Sequence, residues 1–292
     1  LVALLDQALG APGEPLSRRP RLSLDERATL VARGTGELGH PPEAGLHELF
    51  LEQAGQSPDA IAAVGQDGSI SYRALARRST RWAGALGARG VGTDDLVGVL
   101  LERGPDLLTA YLAILHAGAA FVPLDPSHPP ARLAHMLARS GVRLVISTSA
   151  LATAAGLEPD LVVPVPDLEE SRTASLVRRV PLESTAYAMF TSGSTGVPNC
   201  VRVSHGAIAS NLAWRRRWLP LSGQDRVLQA ISPSFDASVW EFFGPITSGA
   251  SVVLTLPDGA DGRRTMSTQL VEQAITLLQL TPSWLEILLD EP

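Results

Sequence analysis

An α/β fold, with mainly parallel sheets and flanking helices, is expected for this chain of 292 residues. Two observations lead there. Short apolar runs of strand type alternate with helical patterns from about residue 46 onward, as parallel sheets with crossover helices require. Residues are 45% hydrophobic and only 18% charged, enough apolar material for a large core in one large domain or two.

The elements follow in order. Leu1, Leu4, Leu5, Ala8 and Leu9 form a helical stripe. It lacks a basic leader, and Asp6 and Gln7 interrupt it, so the last helix of a preceding domain is expected, not a signal peptide. Residues 10 to 21 and 33 to 45 are rich in Pro, Gly and Arg or Glu and read as linkers. Between them Ser23 and Glu26 have the spacing of a capping box. The expected organisation is a domain end and linker over residues 1–45, then a domain over residues 46–292. Ile61 to Val64 and Ser69 to Ser71 flank Gln66-Asp67-Gly68 as a hairpin. A helix from Tyr72 to about Arg89 closes at Gly90. Strands are expected at Leu96 to Leu101, Ala120 to Leu124, Leu144 to Ser147, Leu161 to Val165 and Ala186 to Phe190. Helices are expected from Pro105 to about Gly118 and from Pro130 to Arg139. Residues 148–156 fit a surface loop or a short helix equally. Beyond them come a helix from His205 to Trp218, strands at Arg226 to Ile231 and Ser251 to Leu254, and a helix over Thr268 to Thr276. A strand near Leu277 to Leu280 and a helix opening at Pro282 end the chain.

Totals narrow the function. The net charge of −6 gives no basic footprint for nucleic acid. No apolar run reaches transmembrane length. All 24 basic residues are Arg, so chemistry needing a lysine amine cannot be completed by this chain. A single cysteine, Cys200, excludes a disulfide framework and suits an intracellular protein. The six histidines show no pair at metal-ligand spacing, and no metal ligand is expected.

The most informative stretch is YAMFTSGSTGVPNCVRVSH, residues 187 to 205. A strand-like run enters Thr191, Ser192, Gly193, Ser194, Thr195 and Gly196: four hydroxyls and two glycines. Glycines let several backbone N–H groups turn inward, and hydroxyls add donors without bulk. Phosphate oxygens suit such a loop, although composition alone fits an ordinary surface loop equally well. The position after a buried-type strand favours binding. No Gly-Lys-Ser/Thr closes it and no dinucleotide spacing is present.

The stretch resembles the phosphate-binding signature of the adenylate-forming superfamily, which includes the amino-acid-activating domains of nonribosomal peptide synthetases. Ile70-Ser71-Tyr72-Arg73-Ala74-Leu75, the run Leu115 to Asp125 (LHAGAAFVPLD), and Ser234-Phe235-Asp236-Ala237-Ser238 resemble three further motifs of those domains, in the same order. The resemblance covers about residues 46 to 292 and implies the N-terminal core of that fold, incomplete here. The helix Leu22 to Arg27 resembles the segment that joins a condensation domain to an adenylation domain. The implied activity is ATP-dependent formation of an aminoacyl-adenylate, with Mg²⁺, and transfer to a phosphopantetheine thiol on a carrier domain, in the cytoplasm. Thr191 to Gly196 would cradle the β- and γ-phosphates. Asp236 would bind the substrate's α-ammonium, a charge-assisted contact. Its competing role is N-cap of the following helix. Ala237, Trp240 and Gln279 would line the side-chain pocket, where glutamine or glutamate fits; for Trp240, ordinary core packing competes.

Two departures stand out. Asn199 occupies the position of the family's loop lysine, which predicts weaker ATP binding or slower turnover than in a lysine-bearing relative. Arg202 alternates with Val201 and Val203 and reads as the exposed side of a strand; no base is evident that would activate Cys200. The family's later motifs and its catalytic lysine are absent, so no catalytic residue is expected here and the chain alone is expected to be inactive. Asp236 and the linker argue against an acyl-CoA or aryl-acid ligase. Asn199 keeps open a non-catalytic module that binds nucleotide or a partner.

Overall fold

The structure is a computed structural model that describes residues 2–10, 12–13, 15, 22–34, 43–66, 68–191, 199–254 and 262–290. The chain divides into two compact units, Leu1–Pro41 and Pro42–Pro292. The first holds α1 (Val2–Gly10) and α2 (Leu24–Gly34). The capping box of α2 is formed. Glu26 N–H donates to Ser23 Oγ (3.1 Å), and Ser23 N–H donates to the Glu26 carboxylate (2.8 Å).

The second unit carries two sheets. In the first, β1 (Ile61–Gly65) and β2 (Gly68–Ser71) form the antiparallel hairpin, and β9 (Arg226–Leu228), β10 (Ser251–Val253) and β11 (Leu277–Leu278) extend it in parallel, in the order β11-β9-β10-β1-β2. The second sheet comprises β3 (Leu96–Leu100), β4 (Ala120–Pro123), β5 (Leu144–Ser147), β6 (Val162–Pro164), β7 (Thr185–Thr191) and β8 (Asn199–Ser204). Its order is β6-β5-β3-β4-β7-β8, parallel throughout except for β7 with β8. The expected α/β architecture is therefore present.

Helix α5 (Pro105–His116) touches β1 of one sheet and β3 and β4 of the other. Every residue from Leu107 to His116 is buried, the pattern of a helix enclosed on all sides. It packs on α4 (Tyr72–Ala88), where Ser71 accepts the N-cap bond from Ala74 N–H. Around this pair lie α3 (Leu46–Gln56), α9 (His205–Trp218) and α10 (Ala237–Ile246). Helix α6 (Pro130–Ser140) precedes β5 in the chain. At the end of the first sheet lie α11 (Gly262–Glu272) and α12 (Pro282–Leu289), the latter capped by Thr281. Gly90, Gly118 and Gly141 have φ of +84°, +83° and +74° and end their helices where glycine spares the chain a steric cost.

One open expectation is settled and three details differ. Residues 148–156 resolve as α7 (Ser149–Ala154), with Thr148 accepting from Leu151 N–H. The expected strand Leu161 to Val165 is shorter, β6 being Val162–Pro164, and a short helix α8 (Val165–Glu169) that was not expected follows it. Strand β9 stops at Leu228; Gln229 N–H still donates to the Val253 carbonyl, and the Ile231 N–H turns instead to Glu241. Helix α11 begins six residues before Thr268, and Ala274, at φ +48°, turns the chain into β11.

Two anchors set α10 in place. Tyr72 Oη donates to the Ala250 carbonyl at 2.6 Å, just beyond the helix. On the helix itself, the buried Glu241 carboxylate accepts from Gln229 Nε2 and Ile231 N–H, both at 3.0 Å. Burial pushes Glu241 up to about 7, against the pull of those bonds.

Candidate functional site

A cavity of about 320 Å³ opens where α9, α10 and β7 meet, lined by Tyr187, Asn211, Arg215, Asp236, Ala237 and Trp240 among others. Asp236 immediately precedes α10, and Trp240 lies one turn along, so both face the same space. Asp236 stands at the cap position but makes no side-chain cap bond; its backbone is already helical, at φ −59° and ψ −33°. The capping role weighed from the sequence is therefore not performed, and an exposed carboxylate faces the cavity. Tyr187 is raised to about 12, first by burial and then by the Asp236 charge, so its hydroxyl stays protonated.

Trp240 is only 4% exposed and packs in the core, yet it also lines the cavity. The next turn leaves room for its ring by carrying Gly244: a Cβ there would come within 2.7 Å of Trp240 Nε1. Arg215 places its guanidinium over the Trp240 ring, 5.0 Å from the centroid. The same guanidinium donates from Nη1 to Gln279 Oε1 at 2.9 Å. Gln279 thus joins Asp236, Ala237 and Trp240 through Arg215, and its carbonyl oxygen is already engaged.

Arg215 is the residue that sequence reasoning missed. It sits in the run WRRRW at the end of α9, where cations complement the helix dipole and draw no attention. The signal was periodicity. Ile208 and Leu212 are buried, and Arg215 follows at the next inward position of the same stripe.

A second cavity of about 540 Å³ shares Asp236 and Ala237 and is otherwise mostly apolar, with Phe235, Met266, Leu280 and Trp284 in its walls. Asp236 and Ala237 therefore stand between two spaces.

Of the six candidate phosphate-loop residues, Thr191 ends β7 and is exposed, whereas Ser192, Gly193, Ser194, Thr195 and Gly196 lie outside the described residues. Strand β7 still links the two parts of the site. Tyr187 borders the cavity, and Thr191 lies four residues on, about 13 Å along an extended strand. Asn199 pairs with Thr191 at the start of β8, and Arg202 is exposed, opposite Ala188. The Cys200 thiol is half-buried and raised by burial, which keeps it from acting as a thiolate. Among the described residues, no group of three or more His, Cys, Asp or Glu side chains could hold a metal ion, and no helix is long and apolar enough to cross a membrane.

Comparisons with known proteins identify the family and the fold. A family model described as "AMP-binding enzyme" matches residues 50–292. Tyrocidine synthase 3 of Brevibacillus parabrevis is 36% identical over 252 residues, covering 85% of this chain and 4% of that protein. A plipastatin synthase polypeptide of Bacillus subtilis (strain 168) is 36% identical over 294 residues, covering all of this chain and 12% of that protein. The chain thus spans a small part of the curated relatives it matches. Among solved structures, the nonribosomal peptide synthetase FmoA3 superposes with a TM-score of 0.85 at 30% identity, over 99% of this chain and 32% of that one. Its form bound to alpha-methyl-L-serine-AMP matches equally well, with a TM-score of 0.85 over 98% of this chain and 33% of that one.

Proposed function

From the premise that the chain belongs to the AMP-binding enzyme family, we propose that the protein containing it activates an α-amino acid with ATP for nonribosomal peptide synthesis. The product is an aminoacyl-adenylate, passed to a phosphopantetheine thiol on a carrier domain, with a condensation domain preceding this one. The observation that carries the reading is the uncapped carboxylate of Asp236, free to accept an α-ammonium in a cavity walled by Trp240 and Tyr187. An acyl or aryl acid has no ammonium to offer it. FmoA3 has been solved with AMPPNP and with an aminoacyl-AMP, which supports ATP as co-substrate.

Within this reading, Thr191 and the five residues after it hold the β- and γ-phosphates. Mg²⁺ belongs to the proposal together with ATP, its protein ligands supplied largely from outside this chain. Ala237 and Trp240 shape the side-chain pocket, and Gln279 reaches it through Arg215. A cytoplasmic location goes with the use of ATP. Domain limits at residues 1–45 and 46–292 remain part of the proposal.

Amino-acid-dependent ATP–pyrophosphate exchange by the full-length protein tests the reading. Exchange that rises with one amino acid supports it. Nucleotide binding with no exchange under any amino acid, carboxylic acid or aryl acid favours a non-catalytic module instead, the reading to which Asn199 lends weight. If the loop lacks its cation at Asn199, Asn199→Lys lowers the KM for ATP by about three- to tenfold; an unchanged KM removes that role.

A further inference from the structure

Resting on the amino-acid-activating reading, we infer that Arg215 is a specificity-determining residue and that the substrate is an α-amino acid with a carboxylate side chain. The inference starts from what occupies the cavity wall. A guanidinium carries five N–H donors in one plane. In Arg215 the guanidinium carbon lies over the Trp240 ring, 5.0 Å from its centroid, and Gln279 Oε1 takes a bond from Nη1. Nε is buried and has no partner in the structure. No carboxylate among the described residues pairs with Arg215. A cation is thus held in position by an aromatic face and an amide, with donors left over, beside a cavity that also contains Asp236.

Helix termini account for cations in the last turn of α9, but they do not account for this one. Three consecutive arginines end that helix. Arg216 bonds the Thr247 carbonyl. Arg215 alone lies on the inward stripe with Ile208 and Leu212. A hydrophobic substrate would leave its remaining donors desolvated and unpaired, which is costly. An acidic side chain offers a charged, two-oxygen acceptor to the Nη donors, which, unlike Nε, are not buried without a partner. Asp236 and Arg215 then form a pair of opposite poles: one for the α-ammonium, the other for the side-chain carboxylate. This changes the part assigned to Gln279. It becomes a positioning residue that holds Arg215 and leaves side-chain recognition to the guanidinium.

The test is pyrophosphate exchange by the full-length protein with glutamate, glutamine, aspartate, asparagine and leucine, comparing kcat/KM. The expected result is a preference for one acidic amino acid over its amide of about 100-fold or more, because an unpaired buried donor set rejects the neutral analogue. Arg215→Gln is expected to lower kcat/KM for the acid by at least about 100-fold and to shift preference to the amide, with the KM for ATP unchanged. Arg215→Lys is expected to recover part of the acid preference. A wild-type protein that turns over leucine or an amide best overturns the inference while leaving amino-acid activation intact, and that result does not depend on any variant folding. An acid-to-amide ratio unmoved by Arg215→Gln overturns it too. Absence of exchange with every amino acid, in a protein shown to bind ATP, overturns the activation reading and this inference together.

Discussion

Two clusters of polar side chains lie within the second unit and have opposite electrostatics. In one, the His47 ring lies 5.5 Å from that of His116 and 5.4 Å from that of His205, centroid to centroid, and all three residues are fully buried. In the other, Asp236, Arg215 and Trp240 line a cavity open to solvent, with Gln279 bonded to Arg215 behind them. The sealed cluster has shed its charge. Burial pushes His116 and His205 down to about 3, with the neighbouring His47 adding to the effect. Hydrogen bonds fix the tautomers as well: His47 Nε2 donates to the Arg178 carbonyl at 2.9 Å, and His205 Nδ1 accepts from Leu46 N–H at 3.2 Å. The open cluster keeps a carboxylate and a guanidinium, each with bonding capacity unspent. Polar residues gathered together therefore indicate a binding site only when a path to water remains; without one they become part of the core.

The sharpest way to break this contrast is to remove charge from the open side. Asp236→Asn in the full-length protein is expected to cut amino-acid-dependent pyrophosphate exchange by about 100-fold or more, with thermal unfolding unmoved, because the residue caps nothing. A comparable loss of thermal stability would return Asp236 to a structural role.

Acid probes the sealed side. The unfolded histidines titrate near 6.5, whereas folded His116 and His205 titrate near 3. Between those values the unfolded chain binds more protons, so stability is complete above pH 6.5 and falls as pH drops through the window. By pH 5 the loss is on the order of 2 kcal/mol per ring. Hydrogen exchange in α5 and α9, corrected for intrinsic rates, reads this directly. His116→Leu is expected to flatten the dependence, since neither ring nitrogen of His116 has a partner to lose.

Two smaller effects sharpen the comparison from the open side. Gly244→Ala adds a Cβ 2.7 Å from Trp240 Nε1, which forces the ring off its position. The KM for the amino acid is expected to rise about tenfold, with kcat little changed. Gln279→Leu frees Arg215 from its 2.9 Å bond and is expected to raise the same KM about fivefold. No change in substrate preference or KM would show that Gln279 does not reach the substrate even through Arg215.

Much of the fold is legible along the chain because local chemistry and tertiary packing agree. Helix α9 runs from His205 to Trp218 as its pattern indicates, and Ser204 caps it. Helix α5 starts at its proline, and Gly118 supplies the positive φ just beyond it. Where they diverge, a tertiary contact intervenes: beyond β9 the Ile231 N–H turns to the Glu241 carboxylate on α10, a bond that the apolar pattern of 226–231 does not announce. The site divides in the same way. Asp236, Ala237 and Trp240 are near neighbours in sequence, and helical spacing alone brings them together. Arg215 and Gln279 are 64 positions apart, and only the folded chain puts one against the other.

Helix α10 has a consequence for how such proteins diversify. Tyr72 fastens the chain at its far end and Glu241 fastens its middle, so the backbone's placement depends on residues that touch no substrate. Ala237, at its start and on the cavity wall, is then free to vary without disturbing that support, while Asp236 and the core-packed Trp240 keep their places. Recognition becomes a short cassette on a stationary mount, and descendants can change what they select by a few codon substitutions while inheriting the scaffold unaltered.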